Sequence, residues 1–245
     1  MSYSKAEHDL CQTVYLRVVG LFAHTSSMTQ SLKDIFWNDL TLRCIKWEPY
    51  FDVYEQYFAS WRDRSPTLVE VGVYGGGSLE MWTKYFDPGS TIWGIDCDPK
   101  AAGYDIPGAR VALGDQSDRQ FWKNFLQHTP KIDLFLDDGG HRMHEQIITF
   151  ECVWPHISEN GIYICEDTHT SFWNEYGAVQ GADTFLAYSK RTVDVLYRNH
   201  MRTDRPNSSM IGLLRDLKSV AFYDSMVVFQ KGRSKFDWCE VNGIS

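Results

Sequence analysis

Two stretches concentrate the side chains that could do chemistry: Leu136-Asp137-Asp138-Gly139-Gly140-His141 and, downstream, Glu166-Asp167. Each follows a short apolar run of the kind that forms a buried strand. Four carboxylates in one cleft repel one another unless a cation or a proton compensates them. If the two strands are neighbours, their backbones lie about 4.8 Å apart. One carboxylate of the Asp137/Asp138 pair could then join Glu166 and Asp167 around a single ion. Oxygen donors favour a hard cation, Mg²⁺ first and Mn²⁺ or Ca²⁺ next. His141 lies three residues beyond Asp138, and its imidazole could remove a hydroxyl proton near neutral pH. His144 and His169 are alternative bases.

A second constellation lies upstream. Glu70-Val71-Gly72-Val73-Tyr74-Gly75-Gly76-Gly77-Ser78 is a strand end running into a glycine loop and then a helix, as a nucleotide site needs. The spacing is not G-x-G-x-x-G, which argues against a nicotinamide-dependent oxidoreductase. The next strand ends in Asp96, where a carboxylate can accept both ribose hydroxyls of an adenosine ligand. The one after ends in Gly114-Asp115-Gln116, suited to an adenine amino group.

The elements that must position these residues alternate. The runs beginning at Thr67, Thr91, Ala109, Lys131 and Asn160 read as strands separated by helical or loop-like stretches. That pattern predicts an α/β fold, a doubly wound, mostly parallel sheet with helices on both faces. Near the end, two apolar runs are joined by Tyr223-Asp224-Ser225, too short for a crossover, so the last strand should be antiparallel. Apolar residues at spacings of three and four predict helices in 15–24 and 50–61. We therefore expect residues 1–65 to form a helical N-terminal extension or lid and 66–245 the catalytic domain. Residues 168–216 should form helices and loops over one edge of the sheet.

With 245 residues, 43% of them hydrophobic, the chain can bury a large core. Its net charge of -8 opposes binding to a phosphate backbone, so no nucleic-acid partner is expected. The six cysteines lack paired spacing and read as buried free thiols in the cytoplasm. No run is apolar and long enough to span a bilayer, so no membrane partner is expected.

Taken together, EVGVYGGGSLEMW, GIDCD, GDQ, DDGGH and EDTHTSFW resemble the metal-dependent sugar O-methyltransferases of macrolide biosynthesis, over about residues 45–231. The resemblance implies the Rossmann-like methyltransferase sheet, S-adenosyl-L-methionine as methyl donor and Mg²⁺ as cofactor. It implies that Glu70, Gly72, Tyr74, Gly75, Ser78, Asp96, Asp115 and Gln116 form the donor site, with Asp138 bordering it. It also implies that Asp138, Glu166 and Asp167 hold the metal, with Asp137 in support and His141 as base. Tyr50 and Glu55 match an aromatic–acid stretch of the family. The implied acceptor is a glycosylated small molecule, with Phe172, Trp173 and Tyr176 available as a platform for it. A catechol-like phenol as acceptor, or a non-catalytic nucleotide-binding protein of the same fold, are the other readings. The N-terminal helices offer a surface for a homo-oligomer.

Overall fold

The computed structural model describes residues 30–179, 183–201 and 208–232. The expected helix over 15–24 lies outside the described residues, as do Cys11 and Cys239. Seven strands form one sheet: β1 (Thr67–Val71), β2 (Thr91–Asp96), β3 (Ala109–Leu113), β4 (Ile132–Asp137), β5 (Ile157–Cys165), β6 (Leu217–Tyr223) and β7 (Met226–Lys231). Their order is β3-β2-β1-β4-β5-β7-β6. The first five are parallel, whereas β7 enters antiparallel between β5 and β6. The hairpin expected at Tyr223–Ser225 joins β6 to β7, and Ser225 takes the left-handed conformation of its tight turn.

The helices are α1 (Leu32–Asn38), α2 (Tyr50–Phe58), α3 (Gly77–Tyr85), α4 (Arg119–His128), α5 (Met143–Val153), α6 (Phe185–Leu196) and α7 (Ser208–Leu213). Because strand side chains alternate between faces, each strand feeds two cores. Leu68, Leu134, Leu136, Ile162, Ile164 and Val228 pack with α1, α2 and α3, around Tyr54, Phe58 and Trp82. Val69, Val71, Phe135, Tyr163 and Phe229 pack with α4, α5 and α6, around Trp122, Phe150 and Phe185. Each of these aromatic side chains removes on the order of 150–250 Å² from water. Both faces of the sheet are thus covered, and the parallel strands present their carboxyl ends along one edge.

The alternation also decides which acid goes where. Glu70 shares the face of Leu68 and Leu136. Asp137 shares that of Phe135 and Tyr163. Glu166, one step beyond Cys165, returns to the first face.

One expectation fails for a cysteine. Cys165 is buried, Cys44 and Cys152 are half-buried, but Cys97 is exposed. It follows the last residue of β2, where the apolar strand has given way to the loop at the cleft.

Candidate active site

The cleft lies across the carboxyl ends of β1, β2, β3 and β4, where strand order reverses between β1 and β4 and such sheets bind ligands. Its volume is about 590 Å³, within the range of small-molecule sites. Gly72, Tyr74, Asp96, Asp98, Asp115, Gln116, Asp138, Gly139, His141 and Asp167 are among its lining residues.

The glycine loop holds its shape through backbone that most residues avoid. Gly72 sits at φ +94°, and a Cβ there would come within 2.0 Å of the Asp138 carbonyl oxygen. β1 and the Asp138 loop can therefore approach only because residue 72 has no side chain. Tyr74, His141 and Asp167 are also left-handed, at φ 47°, 57° and 52°. Non-glycine residues in this region cost of order 1–3 kcal/mol each, and such strain collects where a side chain must be aimed.

On the donor half, Asp96 Oδ2 accepts from the Val73 and Tyr74 amides at 2.9 and 3.2 Å, and Oδ1 from that of Asp98 at 2.8 Å. Its carboxylate fixes the loop while bordering the cleft. Asp115 accepts from the amide and the hydroxyl of Ser117, which hold its carboxyl below the usual range. The Gln116 side chain is committed inward. Its Nε2 donates to Asp137 at 3.0 Å and to Thr149 at 3.2 Å, and its Oε1 accepts from the Gly140 amide at 2.8 Å. Glu70, Gly75 and Ser78 sit behind the cleft wall. Glu70 is wholly buried and accepts from Ser78 Oγ at 2.6 Å and Trp82 Nε1 at 2.9 Å.

Asp137 and Asp138 have different surroundings. Asp137 is buried, accepting from Gln116 and, at 3.1 Å, from the Tyr163 hydroxyl. Burial pushes its carboxyl up to about 6 against those hydrogen bonds. Asp138 faces the cleft. Its Oδ1 lies 4.0 Å from His141 Nε2, and Asp167 Oδ2 lies 3.4 Å from the same nitrogen. Ligand atoms of Asp138, His141 and Asp167 all lie within 4.8 Å of one another. His141 Nδ1 is buried without a hydrogen-bond partner. Tyr50 donates to Asp167 Oδ1 at 2.6 Å, which gives the matched tyrosine a positioning role. Glu55 instead accepts from the Leu32 amide and the Tyr85 hydroxyl, both at 2.7 Å, and so ties α1 and α3 to α2.

Sequence reasoning missed Lys46. Its side chain is 1% exposed, and its ammonium reaches Asp138 Oδ2 at 2.6 Å, Glu70 at 3.1 Å and Glu166 at 3.1 Å. Glu166 also accepts from the Tyr54 hydroxyl at 2.5 Å. Burial disfavours the Lys46 charge, but Asp138, Glu166 and Glu70 outweigh it and hold the amine protonated. Burial pushes Glu70 and Glu166 up, with the Asp138 charge adding to the effect and Lys46 opposing it. One ammonium thus serves three carboxylates, and the centre is short of positive charge.

Lys46 arrives on a strap over 39–49. Glu80 accepts from the Thr41 and Leu42 amides, both at 2.9 Å, and Gly77 N donates to the Arg43 carbonyl at 3.2 Å. Within the strap Leu42, Cys44 and Lys46 turn inward while Thr41, Arg43, Ile45 and Trp47 are exposed. That period of two belongs to the folded strap; the residue types do not mark Lys46, because the apolar Ile45 and Trp47 flank it.

A row of rings runs from the rim towards His141. Trp47 and His169 are 6.4 Å apart, His169 and Trp173 4.6 Å, Trp173 and Tyr176 5.9 Å, Tyr176 and His141 6.5 Å. Phe172 and Trp173 are exposed and do not serve the core.

Residues 69–168, which contain the glycine loop, Asp96, Asp115, Asp138, His141 and Glu166, match the model of a methyltransferase domain. The chain carries a methyltransferase domain. Over 195 residues it is 32% identical to the 8-demethyl-8-alpha-L-rhamnosyl tetracenomycin-C 2'-O-methyltransferase of Streptomyces olivaceus, a match covering 73% of this chain and 51% of that protein. It is 28% identical to the mycinamicin VI 2''-O-methyltransferase of Micromonospora griseorubida, covering 74% and 47%. The chain therefore spans about half the length of these relatives. Among solved structures, the MycE methyltransferase of the mycinamycin pathway, in complex with Mg and SAH, superposes with a TM-score of 0.68 at 27% identity. That match covers 75% of this chain and 48% of that one. The resemblance drawn from the motifs holds, as does the Rossmann-like methyltransferase sheet. No helix among the described residues is long and apolar enough to cross a membrane.

Proposed function

We propose that this methyltransferase domain transfers the methyl group of S-adenosyl-L-methionine to a sugar hydroxyl of a glycosylated small molecule, with a divalent cation, Mg²⁺ foremost, at Asp138, Glu166 and Asp167. The observation that carries the reading is one cleft that joins a glycine-loop half to a carboxylate–histidine half. Relatives that methylate sugar hydroxyls, and one bound to Mg and SAH, support it.

The residues suit a hard cation. Asp138 and Asp167 offer oxygens at the rim of the cleft and Glu166 from the buried side, and Mg²⁺ fills its remaining positions with water or substrate. Bound there, the ion would supply the charge that lowers the pKa of an acceptor hydroxyl. The donor, when bound, supplies an electrophilic methyl group on a sulfonium.

This chain's residues do the rest. Gly72 lets the donor approach the backbone, and Tyr74, Asp96 and Asp115 border its nucleoside. Tyr50 keeps Asp167 turned to the centre, and Asp138 presents its carboxylate from the loop after β4. His141 Nε2 faces both carboxylates and takes the hydroxyl proton as the oxygen–carbon bond forms and the sulfur–carbon bond breaks. The protein mainly holds oxygen, methyl carbon and sulfur in line. The ring row from Trp47 to Tyr176, exposed at Trp47 and Trp173 and half-buried at His169 and Tyr176, gives the acceptor an apolar face to lie on. The four described free thiols suit a reducing cytoplasm.

The test is calorimetric titration with S-adenosyl-L-methionine and with a nicotinamide dinucleotide, each with and without Mg²⁺. An acceptor screen of glycosylated polyketides, with a catechol as control, follows by mass spectrometry. Micromolar donor binding and methylation of a sugar support the reading. Absence of donor binding in both conditions sinks it. Methylation of the catechol alone would move the acceptor to a phenol.

A further inference from the structure

The glycine triplet after β1 makes room for a segment of the chain as well as for a ligand. A Cβ at Gly75 would come within 2.7 Å of the Arg43 carbonyl oxygen, and one at Gly77 within 2.6 Å of the Arg43 carbonyl carbon. The strap therefore seats at Arg43 because residues 75 and 77 carry no side chain. Gly77 N donates to the Arg43 carbonyl, and Arg43 pairs with Gly76 in an isolated parallel bridge. From that seat the Arg43 guanidinium lies over the ring of Tyr74, 5.3 Å from its centroid, and Tyr74 lines the cleft. We propose that Arg43 binds the α-carboxylate of S-adenosyl-L-methionine at the glycine-loop end of the cleft. This rests on the methyl donor of the reading above and adds the group that recognises its amino-acid end.

Charge is the first reason. The donor carries a carboxylate into a cleft whose lining includes Asp96, Asp98, Asp115 and Glu145 besides the acids of the carboxylate centre, with Lys100 as the lysine among them. A carboxylate among carboxylates is unfavourable without a cation beside it. Lys46 is already shared by Glu70, Asp138 and Glu166, whereas Arg43 has no carboxylate partner among the described residues. Direction is the second reason. With the ribose at Asp96 and the methyl group turned to His141, the amino-acid end continues from the sulfur past Gly72, towards Tyr74 and the strap. The third is Tyr74 itself. It is left-handed at φ 47° and 58% exposed, so its ring is aimed at a cost and serves no core. A ring face steadies a guanidinium while leaving its fork of N–H donors free for the two oxygens of a carboxylate.

The experiment is a cycle of two ligands and two proteins, read by calorimetric titration of the whole chain in the presence of Mg²⁺. The ligands are S-adenosyl-L-methionine and its decarboxylated form, which keeps the sulfonium, the methyl group and the amine. The proteins are wild type and Arg43→Met, which keeps an apolar stem over Tyr74 and leaves the strap's backbone contacts in place. Loss of a charge-assisted pair should weaken binding of the intact donor by about tenfold or more. The decarboxylated donor should bind the variant at least as well as wild type, because its cationic tail gains nothing from a guanidinium and is repelled by it. A ratio of the two affinities that is the same in both proteins overturns the proposal, since Arg43 would then serve to seat the strap and nothing more. Should Arg43→Met not fold, Arg43→Gln takes its place under the same criterion. Failure of wild type to bind either form overturns this proposal together with the methyl-transfer reading, whereas donor binding with an unchanged ratio overturns this proposal alone.

Discussion

Replacing Asp137 by asparagine should change how stability depends on pH, in a direction fixed by burial. The side chain is 0% exposed, and its carboxyl is pushed up to about 6, mainly by burial. That is about two pH units above an ordinary aspartate, and at about 1.4 kcal/mol per unit it corresponds to about 3 kcal/mol. A raised acid binds its proton more tightly in the folded state, so its contribution is favourable at low pH and is lost as pH rises through about 6. Above that value the folded protein carries a buried negative charge that the unfolded chain would hydrate. Asparagine has no such charge, accepts from Gln116 with its oxygen and can donate to the Tyr163 oxygen with its amide. The stability of Asp137→Asn relative to wild type should therefore climb by about 3 kcal/mol between about pH 4 and about pH 7, on top of a constant offset. Urea unfolding of both proteins across that range measures it, because the other carboxylates titrate in both and cancel. A difference that stays flat, or falls as pH rises, would refute the argument that burial governs this carboxyl.

Other expectations follow from the same contacts. Gly72→Ala forces a left-handed φ on a residue with a Cβ and drives it into the Asp138 carbonyl; the melting temperature should fall and donor affinity should drop at least tenfold by calorimetry. His141→Ala should lower kcat by about 100-fold to 10,000-fold while donor binding stays within about twofold; a loss of donor binding of the same size would argue against the base role. Glu80→Ala frees two strap amides from charge-assisted hydrogen bonds of roughly 1.5–3 kcal/mol each. We expect a stability loss of about 2–4 kcal/mol in denaturant unfolding, with weaker donor binding because Ile45 of the strap lines the cleft.

Much of this was legible in the chain itself. Short apolar runs separated by helical or loop-like stretches point to the doubly wound sheet, because strands that are apolar on both faces must be covered by helices on both sides. The three-residue link at Tyr223–Ser225 fixes the hairpin, since nothing so short can cross over. The motifs at Glu70–Ser78, Asp137–His141 and Glu166–Asp167 mark one cleft, because parallel strands deliver their carboxyl ends to one edge.

Only the folded molecule divided the roles of neighbouring acids. Asp137 and Asp138 are indistinguishable as residue types, and the register of β4 sends one under α4 and α5 and the other to the cleft. Gln116 lines the cleft, and the hydrogen bonds of its side chain to Asp137 and from the Gly140 amide are set by the fold alone. Lys46 carries no motif, and its neighbours Ile45 and Trp47, which look like core residues, point outward. Its place among Glu70, Asp138 and Glu166 joins residues distant along the chain. Sequence records local preference and periodicity, whereas the partner of a buried charge is set by which distant segments the packed sheet brings within a few ångströms.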